Sequence, residues 1–315
     1  MIEIVEVSPR DGLQNESSFV STEDKVELIS RAVDAGFNRI EATSFVHPKA
    51  VPQLADAEEV IASLPRSPQV SYSALVLNRR GVDRAISAGV DELNAVVVAS
   101  EVFSQRNQGM TTAESLDFVR ELLGMADRNA VRVSVTIATA FGCPFIGEVG
   151  QGRVVDIAAH LADVGVTEIS LADTIGVGVP KQVGELFAKV AGVAPDALLR
   201  AHFHNTRNTG YANAVAAINA GVSVLDASIG GIGGCPFAPR ATGNIASEDL
   251  LYLLGRSDID VRGVDVDKVI RTAKWLGGIL GRETPGLLPR SGLFPPDPVA
   301  GGVVGEEFRD VASVR

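Results

Sequence analysis

Short apolar runs alternate along the chain with longer stretches in which apolar residues recur every three or four positions. The short runs are Ile2–Val7, Arg39–Ala42, Val70–Val76, Glu92–Val98, Val131–Ala138, Glu168–Ala172, Leu198–Phe203 and Ser223–Ala227. Their length and their Val, Ile and Ala content suit strands. Between them, Thr22–Ala35, Thr111–Asn129, Gly152–Val164, Lys181–Val190 and Thr209–Ala220 carry the helical period. Ser21 or Thr22, followed by acidic Glu23 and Asp24, makes a helix start, and Gly36 makes a stop. Gly89, Gly165 and Gly221 recur in the same place, just before a strand.

Helix, glycine and strand repeat about eight times over roughly 250 residues, the size of a TIM barrel. The expected fold is therefore α/β, a (β/α)8 TIM barrel. A doubly wound open sheet alternates in the same way. The strand count and the lack of a Gly-x-Gly-x-x-Gly fingerprint after the first strand favour the barrel. Three regions fall outside the repeat. Ser228–Asn244, rich in Gly, Pro and Ala, reads as a long loop after the last strand. Val264–Leu280 reads as an extra C-terminal helix that closes the barrel. Leu287–Arg315, with several Pro and Gly, reads as a poorly ordered tail. The expected organisation is a catalytic barrel over residues 1–286 and a Pro/Gly-rich tail over 287–315.

Composition adds exclusions. The chain is 46% hydrophobic and 21% charged, ordinary for a globular protein. Its 39 Asp and Glu outweigh its 28 Lys and Arg, a net charge of −11. Nucleic acid needs clustered positive charge, so no nucleic-acid partner is expected. No apolar run is long enough for a membrane span, and no secretory leader pattern opens the chain. Two cysteines, Cys143 and Cys235, are too few for a disulfide framework. A cytoplasmic protein, most simply a homodimer, is the expectation.

In a TIM barrel, side chains at the carboxyl ends of the strands face the site. Those ends offer Arg10, Asp11 and Gln14, then Glu41, then Asp173, then His202 and His204. Cys235, Asn244 and Glu248 follow the last strand. Residues two apart on a strand share a face, so His202 and His204 can meet one cation. Asp11 adds a carboxylate and Asn244 an amide oxygen. Mixed nitrogen and oxygen ligands suit Mg²⁺, Mn²⁺ or Zn²⁺ acting as a Lewis acid. Alternatively, the two histidines simply satisfy backbone carbonyls. Arg10-Asp11 reads either as a surface ion pair in a turn marked by Pro9 and Gly12, or as a ligand beside a cation for developing negative charge. The run from Gly230 to Gly234 reads as a flexible loop or as one that delivers Cys235 as a proton donor.

The chain resembles the hydroxymethylglutaryl-CoA lyases. The resemblance is carried by Pro9-Arg10-Asp11-Gly12-Leu13-Gln14-Asn15-Glu16, by Ile40 to Val46 with Pro48-Lys49, and by Gly142-Cys143-Pro144. Asp173 to Gly178, His202-Phe203-His204, Gly233 to Phe237 and Gly243-Asn244 continue it across the barrel. It implies cleavage of a 3-hydroxy-3-methylglutaryl-CoA-like ester into acetyl-CoA and a keto acid, as in leucine degradation. It implies Asp11, His202, His204 and Asn244 as metal ligands, Arg10 as the enolate stabiliser and Cys235 as the loop cysteine. Glu41 and Asp173 match catalytic positions, and Gln14 and Glu248 match substrate-binding ones. Asp11 or His202 would be the base. An acyl-CoA substrate is the implied partner; Lys49, Asn78, Arg79 and Arg80, near the ends of the second and third strands, read either as contacts for its phosphates or as a solvated basic surface. Asn205, Arg207, Ser17 and Ser134 depart from the family pattern while Thr206 keeps it, with Arg132 near Ser134 and Arg240 adding charge. Those departures imply an altered acyl pocket around a preserved metal. A Claisen-type synthase and a non-catalytic acyl-CoA-binding barrel are the alternatives.

Overall fold

The computed structural model describes residues 1–234, 243–261 and 263–295. Eight parallel strands close into a barrel in chain order. They are β1 (Glu3–Glu6), β2 (Arg39–Ser44), β3 (Ser71–Val76), β4 (Glu92–Val98), β5 (Arg132–Ala138), β6 (Glu168–Asp173), β7 (Leu198–Phe203) and β8 (Val224–Ala227). Closure is made by β1 against β8, with Glu3 opposite Val224 and Glu6 opposite Ala227. The fold is the expected TIM barrel.

Helices wrap the outside. They are α1 (Thr22–Asp34), α2 (Ala57–Ser63), α3 (Arg79–Ala88), α4 (Glu101–Gln108), α5 (Thr112–Arg128), α6 (Gln151–Asp163), α7 (Pro180–Val193) and α8 (Gly210–Asn219). After the barrel come α9 (Ser247–Arg256), α10 (Val266–Leu280) and a short α11 (Leu288–Ser291). The ends follow local chemistry. The Ser21 hydroxyl accepts from the Asp24 N–H at the start of α1, and Thr111 with Glu114 forms a reciprocal capping box on α5. Gly36 leaves α1 at φ 102°, and a Cβ there would sit 2.4 Å from the Gly263 carbonyl oxygen. Only glycine fits that exit. The closing helix α10 lies where the sequence places it, against α1 and the turn after β8. The segment expected to begin a loose tail carries α11, whose Leu287 and Leu288 N–H groups bond Asp249.

Period-two alternation sorts each strand's residues between two layers. Ile40, Leu93, Val135, Ile169, Leu199 and Leu225 belong to the apolar core shared with the helices. The intervening residues point into the barrel, and many are polar. Arg39 on β2 reaches Glu92 on β4 and Glu168 on β6, contacts that non-adjacent strands make only across the interior. Charge therefore fills the barrel floor. The β5 residues Ser134 and Arg132 belong to it, each bonding Glu92. They lie low in the barrel and not in an acyl pocket, which corrects the expectation for both.

Candidate active site at the barrel mouth

Directly after β1, residues Ser8–Gly12 form one wide π-helical turn where the sequence suggests an ordinary turn. The Gly12 N–H reaches back to the Val7 carbonyl oxygen at 3.1 Å, closing it. This turn projects Arg10 and Asp11 over the mouth. From the end of β7 come His202 and His204, with ring centroids 5.2 Å apart. Asp11, His202 and His204 each offer a ligand atom, and these atoms lie within 4.8 Å of one another. His202 Nε2 is 3.9 Å from Asp11 Oδ2.

Asn244 arrives from beyond β8. It forms an antiparallel bridge with His204, while Ile245 N–H bonds the Phe203 oxygen and Asn205 N–H bonds the Gly243 oxygen. Its amide Nδ2 donates to Asp11 Oδ2 at 2.8 Å and to the Ile232 carbonyl at 3.1 Å. A half-turn of the amide presents oxygen at the same place. At Gly233, φ is 111° and a Cβ would meet Asn244 Nδ2 at 2.6 Å, so glycine is required for this approach. The four expected ligand residues are thus adjacent, and the donor set of one carboxylate, two imidazoles and an amide fits a divalent cation.

The electrostatics agree. Burial disfavours the Asp11 carboxylate, but Arg10, His202, His204 and the Asn244 amide outweigh it and hold its pKa well below the usual carboxylate range. Asp226, on β8, accepts or shares the His202 Nδ1 proton at 3.0 Å. That leaves Nε2 facing Asp11. Burial opposes a charged His202, yet the bond to Asp226 and the Asp11 charge raise its pKa. Asp226 is the carboxylate that orients a ligating imidazole in many metal sites. Sequence reading passed over it, although a lone acid in Val224-Leu225-Asp226-Ala227 is the signal.

Arg10 is held on both sides. Its Nη1 donates to Asp11 at 2.6 Å and its Nε to Glu41 Oε2 at 2.7 Å. The other Glu41 oxygen accepts from Asn94, whose own oxygen accepts from Thr136. Glu41 is fully buried and does not line the mouth cavity. It positions Arg10 at the cavity wall. Asp173 likewise turns away from the cavity and accepts from the Val177 and Gly178 N–H groups at 2.9 Å. Burial raises its pKa against those bonds. It shapes the loop after β6.

The mouth cavity holds about 450 Å³. Arg10, Asp11, Gln14, His202 and His204 line its polar side, and Leu75, Val96, Phe103, Ala138 and Ala172 its apolar side. Gln14 is therefore where the sequence puts it. None of Ser17, Ser134, Asn205, Thr206 or Arg207 lines the cavity. Arg207 instead donates to the Ile175 and Gly176 carbonyls, and Asn205 accepts from the Gly210 N–H. Asn205 and Arg207 thus brace the loops after β6 and β7. Cys235 and Arg240 lie outside the described residues. Of the expected phosphate-binding residues, Asn78 and Arg80 share a separate hollow with His47 and Arg84. Arg79 pairs with Glu121 on the surface, and Lys49 is exposed.

Glu248 is also absent from the cavity. It is fully buried on α9, where Oε2 accepts from the Gly230 N–H at 3.0 Å. Oε1 has no hydrogen-bond partner among the described residues. Nearby Glu6 accepts from Ser8, Ile229 and Ser247. Together they anchor both ends of the mouth, the π-turn and the turn after β8. Burial pushes Glu248 up to about 8 and Glu6 up to about 7. Both keep their proton in the folded protein at pH values where the unfolded chain has lost it. Their contribution to stability is complete below pH 4.5 and is lost as pH rises toward 8. Wild type should therefore lose about 2 kcal/mol relative to Glu248→Gln between about pH 6 and pH 8. Urea midpoints across that range measure it; parallel pH profiles for the two proteins would exclude a protonated Glu248.

Comparison with known proteins identifies the family. The HMGL-like family matches residues 1–276. An (R)-citramalyl-CoA lyase from Chloroflexus aurantiacus is 44% identical over 310 residues, covering 95% of this chain and 97% of that protein. A hydroxymethylglutaryl-CoA lyase from Bacillus subtilis is 39% identical over 90% of this chain and 95% of its own length. The structure of an HMG-CoA lyase from Acinetobacter baumannii, in complex with coenzyme A and 3-methylmalate, superposes with a TM-score of 0.89 at 40% identity. It covers 94% of this chain and 96% of that one. The chain belongs to the HMGL-like family and is an acyl-CoA carbon–carbon lyase of the hydroxymethylglutaryl-CoA lyase kind.

Proposed function

We propose that the chain cleaves a CoA thioester bearing a tertiary hydroxyl and a methyl group at C3 and a short carboxylate arm, releasing acetyl-CoA and a keto acid. The observation that carries this reading is the convergence of Asp11, His202 and His204 beside Arg10 at one barrel mouth. Citramalyl-CoA and hydroxymethylglutaryl-CoA, the substrates named for the relatives, both have this pattern and differ by one carbon in the arm.

Asp11, His202, His204 and Asn244 would hold a divalent cation, Mg²⁺ or Mn²⁺ by preference and Zn²⁺ as an alternative. When bound, it supplies Lewis acidity to the substrate's hydroxyl and carboxylate oxygens. Asp11 and His202 are the two groups placed to receive the hydroxyl proton. As the C3 oxygen becomes a carbonyl, the C2–C3 bond breaks and its electron pair moves to C2 and the thioester oxygen. Arg10 lies at the cavity wall with its charge fixed between Asp11 and Glu41, ready to stabilise that enolate. Protonation at C2 completes acetyl-CoA. Cys235 or a water is the acid. Gln14 and the apolar wall hold the acyl group.

The test is a product assay with each thioester and Mg²⁺. Acetyl-CoA should appear in equal amount to pyruvate from citramalyl-CoA or to acetoacetate from hydroxymethylglutaryl-CoA, at about 1–10³ s⁻¹ for the preferred ester. The ratio of the two kcat/KM values assigns the arm length. Consumption of acetyl-CoA with a 2-keto acid, without cleavage, would favour the Claisen alternative. Neither reaction, with no bound metal, would favour the non-catalytic barrel.

A further inference from the structure

Beneath the mouth, a line of buried charge runs from the floor of the barrel to His202. Arg39 is the closest cation to Glu92 and Glu168 in the floor: its Nε and Nη2 grip Glu92 at 3.0 and 2.7 Å, and its Nη2 reaches Glu168 at 2.6 Å. Arg200 on β7 is a second arginine in the same space, 1% exposed. Its Nη1 makes a long bond to Glu168 at 3.4 Å and lies 3.9 Å from Glu92. Its shortest contact points upward, from Nε to Asp226 Oδ1 at 2.5 Å. Asp226 then meets His202 Nδ1 through its other oxygen.

Net stability is a weak reason to bury a second arginine here. A buried guanidinium loses its hydration, and a buried ion pair seldom repays more than that loss. Arg200 Nη2 has no partner among the described residues, a further cost. What the arrangement does provide is direction. With Oδ1 gripped by Arg200, the Asp226 carboxylate cannot turn, and Oδ2 stays on His202 Nδ1. The imidazole then keeps one tautomer and one tilt, with Nε2 aimed at Asp11 and His204.

We propose that Arg200 is a positioning residue for the metal site, acting through Asp226 to fix His202. The inference rests on the proposed cation site, because it concerns how one of its ligands is aimed.

The experiment is a Mn²⁺ titration of metal-free full-length protein, followed by the electron paramagnetic resonance of free Mn²⁺. Wild type, Arg200→Met, Arg200→Lys and Asp226→Asn are compared. Circular dichroism establishes that each is folded. Arg200→Met and Asp226→Asn should each weaken Mn²⁺ binding by about 10–100-fold. A variant combining Arg200→Met with Asp226→Asn should be no weaker than the worse single one, since both act on one histidine. Arg200→Lys keeps the charge and should fall between wild type and Arg200→Met. Mn²⁺ affinity equal to wild type in folded Arg200→Met, or in folded Arg200→Gln where Arg200→Met does not fold, with only thermal stability lowered, would overturn the role of Arg200 and leave the cation site standing. Failure of wild type itself to bind Mn²⁺ would overturn both.

Discussion

Asp11→Asn should lower kcat/KM for thioester cleavage by at least about 10³-fold, roughly 4 kcal/mol of transition-state stabilisation. The substitution keeps the shape of the side chain and removes its charge. Asp11 is the only anionic member of the four-residue donor set, and its charge is what two imidazoles and an amide cannot replace. Its carboxylate also receives Arg10 on one oxygen and Asn244 on the other. The variant therefore loses metal affinity and loosens two neighbours at once. Folding should be little affected, because Asp11 sits in a turn at the edge of the cavity and not in the floor. Metal content and steady-state kinetics, measured on the same preparation, decide it. Retained turnover in a metal-free Asp11→Asn protein would defeat the proposed chemistry.

Arg10→Met should cost about 10²–10³-fold in kcat, about 2.7–4 kcal/mol, while leaving Mn²⁺ bound. The two variants thus separate ligand from electrostatic stabiliser. Arg10→Lys should recover only part of the loss, since a single ammonium cannot span Asp11 and Glu41 as the guanidinium fork does. One complication is foreseeable. Glu41 is fully buried, and removing Arg10 strips it of its cation. Arg10→Met alone should therefore be destabilised by about 3–5 kcal/mol. Adding Glu41→Gln removes the orphaned charge and should restore stability without restoring kcat. If the double variant regains turnover, Arg10 serves the fold and not the reaction.

The strands and the four candidate donor residues were legible in the chain because each obeys a local rule. Strands announce themselves by alternation, and His202 and His204 by a spacing of two. Asp11 and Asn244 stand beside motifs whose glycines are forced by close backbone approach. What alternation does not reveal is height within the barrel. Ser134 and Asn94 both point inward, yet Ser134 bonds Glu92 in the floor while Asn94 lines the mouth. Only the closed register, with Asn94 opposite Ser134, fixes which layer each occupies. The same limit hid Arg200. A charged residue early in a strand reads as an edge position, and its partner Asp226 is 26 residues away. Glu248 failed for a different reason. Its position after the Gly-rich run suggests the mouth, but α9 turns it inward to hold that run from beneath.

The segment carrying Asn244 has a consequence for how such a lyase can diversify. Residues 243–246 are stitched to the ends of β7 and β8 by backbone bonds to Phe203, Asn205 and Ser228. On the other side, the Ile229–Gly231 turn is fastened through Gly230 to Glu248 and through Ile229 to Glu6. The backbone on either side of residues 235–242 is thus docked independently on the scaffold. A splice that replaces those eight positions with another sequence is clamped at both junctions and should leave the metal-binding geometry in register. On the roles proposed for Cys235 and the four donors, acid chemistry and ligand chemistry are then separable cassettes of one chain, and exchange of the first need not disturb the second.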